Sequence, residues 1–443
     1  MSRLHQLVSF NVSTAFGWFW LARTASLMGD YAFRIAFITN LIRTSHSANT
    51  LAIATAVLLV PSIAFYLFGG ALGDRVRSRR AVLVAADVIR FVGTGAAAVL
   101  VVIVHSPVPV VCCGLLIGVG SGFFEPVAAG FLTQIVDKSR LVAANSALSV
   151  SRQVSLIVGP LLGGALIGIA GPALAFWFDA ATFAVSALAL LAIASPSIVR
   201  SVVAQDTGSG LRQVIVEIGE SIRFVTGMRW LLITLASGAI ANAVFAGGLD
   251  VLVPLVFSPQ GNGSLRLGLF YALEGGGAVL GALILTRLVV HRVAGPLFGM
   301  LALMAFSLAL VGVFGNVLGS LLLALSYGIG MHFFNSLYPA LVQTRVPPEL
   351  ISRVSGLEFL FFDGLIPIGV VLMGPLAVGL GAGGALILTG LIVTALCLAT
   401  ALAPSIRELR FPTEEPAVEA PLVGAERSGA RDERSREEAS GQP

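Results

Sequence analysis

The chain has 443 residues, a formal net charge of +4, and 56% hydrophobic against only 11% charged side chains. Soluble domains carry about 25% charged residues to cover their surface, so this composition excludes an ordinary water-soluble fold and the enzymes built on one. The basic residues fall in short turns between apolar runs, which sets topology and excludes a nucleic-acid surface.

Apolar windows of roughly 20 residues recur from about Phe16 to about Ala403, each long enough to cross a hydrocarbon core of about 30 Å. They predict twelve helices, at 16–41, 48–73, 80–104, 108–134, 142–170, 172–195, 230–256, 265–289, 295–313, 317–341, 351–378 and 382–403. The fold expected is an all-α membrane protein. The 50 glycines and 20 prolines lie largely inside these windows, where membrane helices tolerate them and use glycine for close contact. No cleavage-like small-residue site precedes the first window, so that helix is expected to act as its own insertion signal. Cys112, Cys113 and Cys397 fall in apolar stretches and read as packed thiols, with no disulfide scaffold or metal site implied.

Alternating the loops gathers Arg75, Arg77, Arg79, Arg80, Lys138, Arg140, Arg200, Arg212, Arg223, Arg229, Arg287, Arg292, Arg345 and Arg353 on one side. Outside the helices the other side receives only Arg43 and Arg266. Basic loops stay in the cytoplasm, so both termini and the middle loop are expected there.

Composition divides the chain into residues 1–195, a linker at 196–229, residues 230–403, and a tail at 404–443. In the linker, Leu211, Val214, Ile215, Ile218, Ile222 and Val225 repeat at helical spacing opposite Arg212, Glu217, Glu220 and Arg223, the pattern of an interfacial amphipathic helix. The tail is rich in Pro, Glu, Arg, Ala and Ser and is expected to be disordered. The two large segments repeat one another at an offset of about 209 to 212 residues. Gly69, Arg75 and Arg80 align with Gly281, Arg287 and Arg292, and Phe124, Leu132, Gln134 and Leu141 with Phe333, Leu341, Gln343 and Leu350. Internal repeats of this kind are characteristic of transporters that alternate access around a central site.

The loop Gly70-Ala71-Leu72-Gly73-Asp74-Arg75-Val76-Arg77-Ser78-Arg79-Arg80 resembles the signature loop of the major facilitator superfamily. The resemblance covers nearly the whole chain and implies two pseudo-symmetric six-helix bundles that rock about a central pathway. It also implies a cytoplasmic gate at Gly70, Asp74, Arg75, Arg79 and Arg80, with Asp74 at the N-terminus of a helix near Ile351 to Ser355, where a carboxylate is stabilised. The loop departs from the pattern at Arg77 and Ser78, and Thr286 stands at the corresponding aspartate position of the second half. Gly159-Pro160-Leu161-Leu162-Gly163-Gly164 in the fifth helix is similar to the motif of proton-coupled exporters in that superfamily. There, proline bends the helix and glycines let it press on a neighbour. Ala25-Ser26-Leu27-Met28-Gly29-Asp30, Gly122-Phe123-Phe124-Glu125-Pro126 and the stretch from Ser139 to Leu148 resemble the subgroup of enterobactin exporters and macrolide efflux proteins.

Charged side chains at membrane depth usually face a bundle interior or an aqueous path. Arg23, Asp30 and Arg34 fall near one face of the first helix, where Asp30 and Arg34 have the spacing of an ion pair. That face either lines the central cavity or forms a structural ion pair between bundles. Glu125 has no basic residue within a helical turn; an isolated carboxylate there takes up a proton, the behaviour a proton-coupling site needs. Arg152, with Gln153, is its candidate partner or a substrate contact. Asp87 and Arg90 are placed to neutralise each other, and Asp179, Asp250 and Glu274 are further carboxylates. Glu358 and Asp363 stand among Phe359, Phe361 and Phe362, the pattern of an aromatic cavity for an apolar or amphipathic compound, cations included. Glycine runs without a P-loop lysine exclude a nucleotide site, and no cofactor is expected.

The leading reading is a secondary active exporter of small hydrophobic, amphipathic or siderophore-like molecules by proton antiport, acting as a monomer in the bacterial cell (inner) membrane. Its expected partners are a small-molecule substrate, protons and membrane lipids. The alternatives are a lipid or lysolipid facilitator, a nutrient importer, or a non-transporting membrane protein.

Overall fold

The computed structural model describes residues 14–45, 47–75, 78–104, 106–137, 140–193, 223, 225–257, 263–288, 290, 292–314, 317–346, 354 and 357–410; of 67–75, 142 and 317–319 it gives the backbone alone. The expected amphipathic linker helix and the terminal tail lie largely outside these residues.

The first six helices are α1 (Thr14–Ser45), α2 (Ala48–Arg75), α3 (Arg79–Ile103), α4 (Pro107–Ile135), α5 (Leu141–Ala170) and α6 (Pro172–Ala192). Local chemistry sets their ends. Ser78 and Ser106 cap α3 and α4 by accepting from the backbone N–H groups of Ala81 and Val108, satisfying donors that a helix start leaves free. Between α5 and α6 the chain reverses in one residue, Gly171, whose φ of 77° suits a residue without a β-carbon. Pro172 then opens α6, where its missing N–H costs nothing.

The second half holds α7 (Arg229–Phe257), α8 (Gly263–Leu285), α9 (Gly295–Phe314), α10 (Val317–Arg345) and α11 (Ile366–Leu402). Within α7 the helix widens to π geometry over Gly248–Leu252. The long α11 breaks at Gly381 (φ 72°, ψ 158°), a conformation reserved for glycine. Before the break, Gly369 and Met373 run alongside Ala243 and Gly247 of α7; after it, Gly383 and Gly390 pass Gly312 and Ala305 of α9 in the opposite sense. The two limbs of α11 are therefore an antiparallel hairpin. Ten helices meet a strict length and hydropathy standard for spanning, one of them the 46-residue stretch Leu357–Leu402. Among the described residues, the expected twelve requires counting that stretch as two and adding the 32-residue α1, whose polar side chains lower its hydropathy. The eleventh predicted helix starts at residue 351, and its continuous described span starts at Leu357.

Inside the first half, α1 packs on α5 and α6, α2 on α4, and α3 on α4 and α6. Inside the second, α8 and α9 pack on α10, and α11 on α7 and α9. The halves meet chiefly where α5 touches α8 and α2 touches α11. Polarity is inverted relative to a soluble protein. Ile103, Ile169, Leu188 and Leu402 are exposed, whereas Asp87, Arg90 and Asp179 are buried, which is stable only when lipid is the solvent. Cys113 and Cys397 are buried thiols as expected, but Cys112 is exposed, because adjacent residues of a helix point about 100° apart.

Candidate functional site

A cavity of about 310 Å³ lies between α1, α4 and α5, with Arg23, Glu125, Asn145, Ser149 and Arg152 as its polar lining and Phe19, Leu27, Leu132 and Leu148 among its apolar lining. All these residues sit in the half of the bundle next to the arginine-rich loops. At the opposite face the halves are in contact. A β-carbon on Gly164 would stand 2.9 Å from the Ser264 carbonyl of α8, one on Gly268 2.5 Å from the Pro160 carbonyl, and one on Gly374 2.9 Å from Cα of Asn49 in α2. Gly159 and Gly163 of the same motif face α1 instead, where β-carbons would stand 2.6 Å from Tyr31 Cβ and 2.7 Å from the Ala32 carbonyl. The Gly-Pro segment thus sits at the junction of α1, α5 and α8, where only small residues let three backbones meet.

Glu125 is not isolated, contrary to the sequence expectation. Arg23 donates to both its carboxylate oxygens, Nη1 to Oε1 at 3.0 Å and Nη2 to Oε2 at 2.9 Å, the bidentate fork that guanidinium and carboxylate geometry favours. The partner comes from another helix, which a search along α4 cannot see. Arg152 shares the cavity wall with Glu125 but makes no hydrogen bond or ion pair with it; the carboxylate is already occupied.

The expected Asp30–Arg34 pair is also absent among the described contacts. Arg34 reaches across the seam to Asp250 of α7, with Nε 2.8 Å from Oδ1 and Nη2 in contact with the same oxygen. Its guanidinium lies 4.8 Å over the Tyr271 ring of α8, and the Tyr271 hydroxyl donates to the Leu249 carbonyl at 2.6 Å. The π segment positions Asp250 for this contact, and such segments recur at functional sites. Asp30 points the other way, with Oδ2 3.9 Å from Arg90. One turn of α1 therefore separates a contact within the first bundle from a contact between bundles.

Arg90 and Asp87 form the ion pair that their spacing suggested. The Arg90 guanidinium is sandwiched between Phe124 and Phe183, each ring centroid 4.3 Å away, and Ser186 donates to Asp87 at 2.6 Å. Asp179 is fully buried and receives hydrogen bonds from Thr94 and Thr182 at 3.5 and 3.4 Å. Glu274, in the middle of α8, is buried with Oε2 unpartnered among the described residues.

In the second half, Glu358 accepts from the Tyr338 hydroxyl at 2.7 Å, beside the stacked pair Phe334 and Tyr338 and the edge of Phe362. Glu358 and Asp363 do not line the cavity described above. Of the expected gate, Arg79 donates to the Gly130 carbonyl at 2.7 Å and Arg80 to the Ile193 carbonyl. Both tie the start of α3 to the ends of α4 and α6, where cations complement helix dipoles. Gly70 lies in the backbone of α2, whereas the side chains of Asp74 and Arg75, and most of the facing segment 351–355, lie outside what the structure describes.

Sequence reasoning missed the Arg23–Glu125 and Arg34–Asp250 pairings, although a signal existed. Arg23 and Glu125 each lie about ten residues from the arginine-rich end of antiparallel helices, and charges at equal depth in a bilayer seek one another.

A bundle of lipid-facing helices that buries charges around a cavity is the arrangement a membrane transporter requires. The chain matches the Major Facilitator Superfamily over residues 19–370, and it belongs to that family: it is a multi-pass membrane protein that carries small molecules, not an enzyme. It is 26% identical over 405 residues to the multidrug efflux pump Tap of Mycolicibacterium fortuitum, covering 85% of this chain and 92% of that one. Identity to macrolide efflux protein A of Streptococcus pyogenes is 23% over 408 residues, covering 88% and 95%. To the enterobactin exporter EntS of Citrobacter koseri it is 26% over 359 residues, covering 77% and 80%. Among solved structures, a POT family transporter in complex with 5-aminolevulinic acid superposes with a TM-score of 0.70 at 12% identity, covering 88% of this chain and 96% of that one. The nucleoside transporter NupG gives 0.68 at 12% identity, covering 88% and 98%. These likenesses fix the fold.

Proposed function

We propose that the protein is a secondary active exporter of small hydrophobic, amphipathic or siderophore-like compounds in a bacterial inner membrane, working by alternating access with proton antiport. The observation that carries the outward direction is the kinship with named efflux proteins over most of the chain. Alternating access is supported by the placement of the cavity, which lies in the arginine-rich half between α1, α4 and α5, while glycine contacts of α5 with α8 and of α2 with α11 join the halves at the opposite end; on the cavity side the halves also touch, at the Tyr66–Phe359 stack. With arginine-rich loops in the cytoplasm, and hence both termini there too, the cavity lies on the side where an exporter loads its cargo and an importer releases it.

Proton coupling rests on charge balance. Among the described residues, the four carboxylates Asp30, Asp87, Glu125 and Asp179 of α1, α3, α4 and α6 face three arginines, Arg23, Arg90 and, across the cavity from Glu125, Arg152. Glu125 and Asp87 hold Arg23 and Arg90 closely and Asp179 is fully buried, so Asp30, partly exposed and 3.9 Å from an arginine already paired, is the carboxylate that lacks a close cation of its own and stays open to proton exchange. Glu125 joins it whenever Arg23 is drawn away by cargo.

The test is purified protein in liposomes under an inward proton gradient, with internal pH followed as erythromycin or enterobactin is added. Cargo-triggered proton movement that is lost in Asp30→Asn, with binding retained, supports antiport. Transport of either compound without proton movement refutes the coupling. Movement of labelled lysolipid, with neither compound carried, replaces export by lipid transfer.

A further inference from the structure

We propose that the cavity between α1, α4 and α5 binds the negatively charged end of an amphipathic anion, with Arg152 as the residue that selects the charge. This deepens the export reading above and rests on it only for the direction of movement. The argument begins with the cost of Arg152. It lies about eleven residues into α5, roughly 16 Å along the helix at 1.5 Å per residue, and a guanidinium at that depth needs a counter-charge or water. Its side chain is exposed to the cavity and has no hydrogen bond or ion pair to any described residue.

Among the described residues, the only carboxylate that lines the cavity is Glu125, and both its oxygens are held by Arg23. The Arg23–Glu125 pair sums to zero, leaving the wall one positive charge in excess. Phe19, Leu27 and Leu148 surround that charge with apolar surface, which suits a ligand with one anionic group on a hydrophobic body. Guanidinium also matches carboxylate, sulfonate and phosphate in shape.

The lining itself favours one orientation of such a ligand: its charge is directed to Arg152 of α5 and its body to the apolar side chains of α1, α4 and α5 at Phe19, Leu27, Leu132 and Leu148.

A matched pair of probes tests this: dansylglycine, an anion, and dansylethylenediamine, a cation, sharing one fluorophore. Binding to the full-length protein in detergent is read by energy transfer from its four tryptophans to dansyl, without any gradient. The native protein is expected to bind the anion at least ten-fold more tightly. Arg152→Gln should abolish that preference, Arg152→Lys should retain most of it, and Arg152→Glu should reverse it. Preference of the native protein for the cation, or anion binding that is absent or indifferent to Arg152→Gln, overturns the inference. The export reading fails separately: Arg152-dependent anion binding with no movement of dansylglycine in liposomes overturns export and leaves the site standing, whereas gradient-driven movement of the cation alone, unaffected by Arg152→Gln, does the reverse.

Discussion

Asp250→Asn should open the seam between the bundles at the end farthest from the arginine-rich loops. The native carboxylate accepts two guanidinium hydrogen bonds from Arg34 across the seam and is buried, while the Arg34 side chain is one-third exposed. A hydrogen bond to a charged group contributes about 1.5–3 kcal/mol; partial exposure places this pair toward the middle, near about 2 kcal/mol. Because Arg34 belongs to one bundle and Asp250 to the other, the loss falls only on the conformation in which they touch. At about 1.4 kcal/mol per tenfold, the ratio of sealed to open molecules should fall roughly thirty-fold. Spin labels at Ile169 on α5 and Val313 on α9, in a background with the three native cysteines replaced, report the distance across that end by pulsed electron resonance. A longer-distance population should grow in Asp250→Asn. It should partly recede in the double variant Arg34→Gln/Asp250→Asn, which leaves no unpaired charge. A distance distribution unchanged from the native protein would refute the assignment of this pair as a clamp between bundles.

Two further outcomes are expected. Gly268→Leu should reduce transport at least ten-fold in protein that still expresses and folds, since its β-carbon would stand 2.5 Å from the Pro160 carbonyl of the other bundle; Gly276→Leu, with nothing within 4 Å of the new β-carbon, is the control, and equal transport by the two variants would contradict the seal. Arg90→Ala should lower the melting temperature in detergent sharply, because it strands buried Asp87 and empties the slot between Phe124 and Phe183. Removing one partner of a buried pair costs about 3–5 kcal/mol, and Arg90→Ala/Asp87→Ala should recover part of it; a melting temperature equal to the native one would show that the pair carries no stability.

How far the site could be read in advance differed from residue to residue. Asp87 and Arg90 are three apart on one helix, so their spacing alone brings them together. Glu125 looked solitary for the same reason turned around: spacing along α4 reports only what α4 itself supplies, and Arg23 arrives from α1. Asp30 and Arg34 have a pairing distance in sequence, yet Arg34 pairs with Asp250 of α7 and Asp30 turns toward Arg90 at 3.9 Å. The short separation along α1 spans a boundary between the interior of one bundle and the seam with the other.

The sequence by itself determined that this is a bundle of membrane-spanning helices, because side-chain transfer energies and helix length are properties of single segments. Loop arginines, the Gly-Pro run in α5 and the repeat between halves belong to the same category. Only the tertiary structure decided which charges pair, that Arg152 stands at the cavity wall without an ion pair among the described residues, and which face of each glycine meets another backbone. Those outcomes depend on the depth and rotation of neighbouring helices, which are fixed by packing among all of them at once and are written in no one segment.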